Sequence, residues 1–216
     1  MAAASDIRPR FRGVSHRVAF FLALPLAVVL SFEVETEVGR VAAIAFGTSA
    51  AAMFGASALY HGVTWSDSRR RWLRRLDHAG IYALIAGTYT AVGLLVLDGT
   101  WRAVVLGIVW AGAAAGIALK FVWVNGPKWL SAAIGIALGW VAVVVFPQIV
   151  SGIGIAGSAL LLVGGIAYTA GALVYALRRP DPVPAVFGYH EVFHALVIVA
   201  VACQYSTIAF YVLPRH

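Results

Sequence analysis

Apolar runs follow one another so closely along this chain that no soluble domain fits between them. Punctuated at its charges, prolines and glycines, the sequence leaves seven candidate spans, at approximately 18–33, 41–63, 78–97, 103–123, 129–149, 154–177 and 186–213. A membrane-crossing helix needs about 20 predominantly apolar residues, and these runs supply them. With 62% hydrophobic and 12% charged residues, the chain has too little polar surface for a soluble globule. The first run, "VAFFLALPLAVVLSF", is short and contains Pro25. The basic stretch before it resembles the start of a signal peptide, but no small-x-small cleavage site follows and acidic "EVETEV" does, so a retained first span is expected.

The net charge of +7 informs through position rather than amount, and nucleic acid is not expected as a partner. With the N-terminus cytoplasmic, the inner segments hold Arg8, Arg10, Arg12, Arg17, Arg69, Arg70, Arg71, Arg74, Arg75, Lys120, Lys128, Arg178 and Arg179, thirteen of the sixteen basic residues. Arg40, Arg102 and Arg215 remain outside. The sequence therefore predicts an all-α integral membrane protein, a seven-transmembrane helix bundle with its N-terminus in the cytoplasm and its C-terminus outside. A basic cytoplasmic arm, 1–17, precedes a single transmembrane domain, 18–213, expected in the cell membrane, which is the inner or plasma membrane if the source is prokaryotic.

Ionisable residues inside such spans mark functional sites and need partners. The last span opens with "HEVFH", in which His190 and His194 stand at i and i+4, on one helix face. His61 ends the second span, about 30 Å along it and hence in the cytoplasmic leaflet. Asp77 is expected in the first turn of the third span, on the same side. Ser57 repeats the i to i+4 spacing with His61 and lies just below it. Three neutral imidazoles leave the fourth position of a tetrahedral zinc ion for water, which such an ion brings to a pKa of about 7. Zn2+ held by His61, His190 and His194 is thus expected, with Asp77 and Ser57 around the water. His16, His78 and His216 show no such convergence and are expected at the interface or exposed, as is Glu191.

"SALYH", "RRLDHAGIY" and "HEVFH", in that order, resemble the signature elements of the hemolysin III family. That family belongs to the progestin and adipoQ receptor superfamily, distantly related to alkaline ceramidases. The resemblance runs from "RGVSH" to the last span. It implies seven helices, a cytoplasmic N-terminus and zinc on His61, His190 and His194, with Asp77 and Ser57 at the bound water. Some branches carry a glutamate and an asparagine shortly before the histidine matching His16, and "RPRFRGVSHR" has neither.

The expected activity is zinc-dependent hydrolysis of a lipid amide or ester, with Asp77 as general base, Ser57 as stabiliser and membrane lipids as surroundings and possible substrate. The family name implies a cytolytic or pore-forming alternative, although no span carries a ring of charges or a polar stripe. A receptor-like membrane-homeostasis factor is the third reading. "HEVFH" also fits the zinc-protease pattern. The chain's "LDG", with Asp98, falls at the outer face, about 30 Å from the histidines. A bis-histidine haem fits three clustered imidazoles less well than a small ion.

Overall fold

The computed structural model describes residues 9–32 and 34–215. Residues 1–8, with Arg8 of the basic arm, lie outside the described residues, as do Glu33 and His216. Helices dominate: α1 (Val14–Phe32), α2 (Glu37–Gly62), α3 (Asp67–Leu95), α4 (Gly99–Val122), α5 (Lys128–Gly139), α6 (Phe146–Leu177) and α7 (Tyr189–Thr207). A 3₁₀ stretch, Trp140–Val145, joins α5 to α6, and α7 continues through a π turn, Ile208–Val212. Among the described residues there is no strand, only an isolated bridge between Val183 and Phe187.

Local chemistry sets the ends. Thr36 Oγ1 accepts from Gly39 N at 3.1 Å and Glu37 occupies the first turn, so α2 begins with a capped, acid-compensated N-terminus. Leu177 ends α6 because Arg178 turns left-handed (φ 57°) and Pro180 follows. The third helix differs from expectation. It begins at Asp67 rather than near residue 78, because "DSRRRWLRRL" is too polar for lipid yet rich in good helix formers. Asp77 therefore sits about 15 Å into α3 instead of in its first turn.

Among the described residues, six helices are long and apolar enough to cross a membrane, and one of them is the 50-residue run Lys128–Leu177. A straight helix of that length would measure about 75 Å, more than twice a hydrocarbon core. The run folds back instead. Lys128 Nζ lies 4.6 Å from the Tyr175 ring centre, whereas Gln148, midway, reaches the backbone of Asp98 between α3 and α4. Gly154 breaks the helix with φ 73° and ψ 176°, a conformation only glycine adopts without strain. Where α5 yields to the 3₁₀ stretch, the Tyr89 hydroxyl donates to Gly139 O (2.8 Å) and accepts from Ala142 N (2.7 Å). Backbone groups released from the helical ladder are thereby satisfied inside the bundle, as lipid requires.

Short connections make neighbouring helices antiparallel, which gathers the C-termini of α2, α4 and α6 with the N-termini of α3, α5 and α7. Hydrogen bonds tie this end together: Arg74 to Asn125 (2.7 Å), Lys128 to Tyr189 (2.8 Å) and Tyr175 to His78 (3.2 Å). Below it, Phe46, Met53, Tyr82 and Leu84 lead a buried apolar core shared by α2 and α3.

Candidate metal centre

His61, one residue from the end of α2, meets His190 and His194, which open α7 on a shared face. Each imidazole is buried, and one nitrogen from each falls within 4.8 Å of the others. His190 Nε2 and His61 Nε2 are 3.1 Å apart. Two nitrogens on a tetrahedral zinc ion, with bonds of about 2.0–2.1 Å, stand about 3.3 Å apart. His194 Nδ1 is buried with no hydrogen-bond partner, a costly arrangement for a polar atom unless a ligand takes it up. These three histidines can hold a metal ion.

The other expected residues gather around them. Asp77 Oδ2 lies 3.6 Å from His61 Nε2 and 3.4 Å from His78 Nδ1. Ser57, 1% exposed, shares a 2.8 Å hydrogen bond with His16 Nδ1. His16 is not interfacial, as the sequence suggested. It is buried, and its ring stacks on that of His194 with centroids 3.7 Å apart and planes 7° from parallel. The helix starts at Val14, four residues before the apolar run begins, which brings His16 into its first turn. His78 is half-buried rather than exposed, bonded to Tyr175 on its far side.

Glu191 also departs from expectation. It is 1% exposed, its Oε2 accepts from Gly188 N (2.9 Å), and its Oε1 pairs with Arg12 Nε at 2.8 Å. The carboxylate thus caps α7 and anchors the N-terminal arm. Arg10 N and Phe11 N add backbone bonds to Ala185 O (3.0 Å) and Val186 O (3.2 Å). Gly13 completes the fit: it has φ 78°, and a Cβ there would stand 2.6 Å from His61 Cβ. The arm lies directly against the His61 end of α2. Asp98 stays at the opposite end of α3, exposed and paired with Arg102 at 3.2 Å, far from the imidazoles.

A cavity of about 190 Å³ extends from this cluster into the bundle. His16, Ser57, Asp77, His190 and His194 line one part of it, and Val92, Phe146, Leu161 and Gln204 line others. Its volume is more than ten times that needed for one water.

The pattern of the family described as Haemolysin-III related matches residues 5–205. The chain belongs to this family. It is 29% identical over 201 residues to a protein named Hemolysin-3 homolog from Bacillus subtilis (strain 168), covering 92% of this chain and 91% of the relative. It is likewise 29% identical over 204 residues to Hemolysin-3 of Bacillus cereus, covering 93% and 90%. As a haemolysin-III-related chain with six apolar helices it is a multi-pass membrane protein, and its bacterial relatives place such proteins in the cell membrane.

Proposed function

We propose that this protein is a zinc-dependent hydrolase of a lipid amide or ester bond, acting from the cytoplasmic leaflet. The observation that carries this reading is the union of a three-histidine cluster with an apolar cavity. Polar reactive groups stand at one part of it and walls suited to an acyl chain run away from them. His61, His190 and His194 would hold the ion, which when bound supplies Lewis acidity that polarises a carbonyl and makes water nucleophilic near neutral pH. Asp77 takes the proton from the attacking water and returns it to the amine or alcohol as the acyl bond breaks, leaving a carboxylic acid. Ser57, oriented by His16, donates toward the developing oxyanion.

In the same reading the chain crosses the bilayer seven times, with its N-terminus inside and its C-terminus outside. The return of Lys128–Leu177 upon itself at Gly154 supports two crossings for that run. The thirteen-to-three distribution of basic residues supports the orientation. Purified zinc-loaded protein should release fatty acid from ceramide or an acyl amide, and Asp77→Asn should not. Absence of turnover where a control ceramidase is active defeats the proposal.

The names of the two Bacillus relatives favour a second reading, membrane lysis. Dye-loaded liposomes containing the protein would then leak. Equal leakage by His190→Ala would make that lysis independent of the histidines.

A further inference from the structure

Lys120 has no role in the site described so far. It lies in the last turn of α4, is 3% exposed, and lines the same cavity as Asp77 and His190. Its ammonium donates to Ser131 Oγ of α5, which uses one of three N–H groups. Among the described residues no carboxylate lies within ion-pairing distance of it. A lysine near a helix end ordinarily carries its charge out to water. This one keeps it inside.

The neighbours do not compensate the charge. Arg74 of α3 adds a like charge nearby and bonds the Asn125 amide oxygen. Lys128 bonds the Tyr189 hydroxyl and faces the rings of Tyr175 and Tyr189. Lys120 lines the cavity and Arg74 and Lys128 stand at the same end of the bundle, and among the described residues none of the three is ion-paired with a carboxylate. A buried, uncompensated ammonium is costly, and a bound anion relieves the cost. Position agrees: Lys120 and His61 both lie in the last turns of helices that end on the same side of the bundle.

We propose that Lys120 and Ser131 form a subsite for the anionic group, carboxylate or phosphate, of a lipid whose chain occupies the cavity. Binding of that anion needs no turnover. That the anionic lipid is also the substrate class rests on the hydrolase reading.

The test measures binding in phosphatidylcholine nanodiscs, with oleate, dodecyl phosphate, oleyl alcohol and inorganic phosphate as probes. The wild type is expected to prefer oleate and dodecyl phosphate over oleyl alcohol by about tenfold, the effect of one charge-assisted hydrogen bond. Lys120→Met should bring the three lipids within about twofold while leaving oleyl alcohol binding unchanged, and Lys120→Arg should retain the preference. His194→Ala should also retain it, which separates this subsite from the metal ligands and from any failure of hydrolysis. A wild type without preference, a preference surviving in Lys120→Met, or one lost only in His194→Ala overturns the proposal. Inorganic phosphate binding as tightly as dodecyl phosphate overturns the lipid assignment.

Discussion

The helices that carry His61 and Asp77, α2 and α3, and the helices that wall the far side of the cavity differ in how they sit in the bundle. In α2 and α3, 61% and 67% of the most apolar stretch is buried against other helices, whereas in Lys128–Leu177 the figure is 17%. His61 and Asp77 are thus held by helices enclosed on most sides, while Phe146, Leu161 and Gly165 belong to a wall that faces lipid on its other side. In the proposed reading, precision and access fall to different parts of the molecule. A metal site tolerates little displacement of its ligands, and a lipid can reach a buried bond only where protein packing is thin.

The comparison breaks most severely if the packed half is altered. His61→Ala and His194→Ala should each reduce zinc from near one equivalent to background in elemental analysis of the purified protein. Equal zinc in wild type and both variants would dissolve the centre. Asp77→Asn should retain the metal and lower turnover of an acyl amide by about 10²–10⁴-fold, the range for removing a general base. Loss of zinc in that variant would instead make the carboxylate a ligand or a structural prop. Ser57→Ala and His16→Ala should each lower turnover about tenfold or more with zinc unchanged, because the two side chains share one hydrogen bond. Equal losses in the single and double variants would show that they act as a unit.

The loosely packed half should answer differently. A Cβ at Gly165 would meet open space beside the cavity. Gly165→Phe should raise KM for a long-chain substrate several-fold, by about 1–2 kcal/mol of lost chain burial, while a short-chain ester and the zinc content remain unaffected. An equal effect on both chain lengths would mean that the cavity does not hold the chain. Arg12→Gln should loosen the arm over His61. A partly exposed guanidinium on a buried carboxylate suggests a loss of about 1–3 kcal/mol in stability, read as a lower melting temperature with near-normal metal content.

Much of the candidate site was legible because ionisable residues are conspicuous within apolar runs. The i to i+4 pair His190 and His194 and the terminal position of His61 followed from spacing and depth alone. Hydropathy, however, reports where a helix enters lipid and not where it starts. It therefore placed Asp77 in a first turn that lies ten residues earlier, and it left His16 outside a helix that includes it. The pairing of the arm with Ala185 and Val186 joins residues far apart in sequence, and no local pattern announces it. Glu191 was misplaced for the same reason, since its partner Arg12 comes from the other end of the chain. That Lys120 has no carboxylate within ion-pairing distance among the described residues is a property of the folded surroundings and not of any local pattern.

The first helix packs along its length on one face only: Phe20 lies against Gly55, Ala27 against Gly47 and Leu30 is buried, while 17% of its apolar stretch is buried in all. Its opening turn nevertheless supplies the imidazole stacked on His194. The outward side of α1 thus belongs to the bilayer, and a change in hydrocarbon thickness, which tilts spanning helices, would reach His16 through the very helix that holds it.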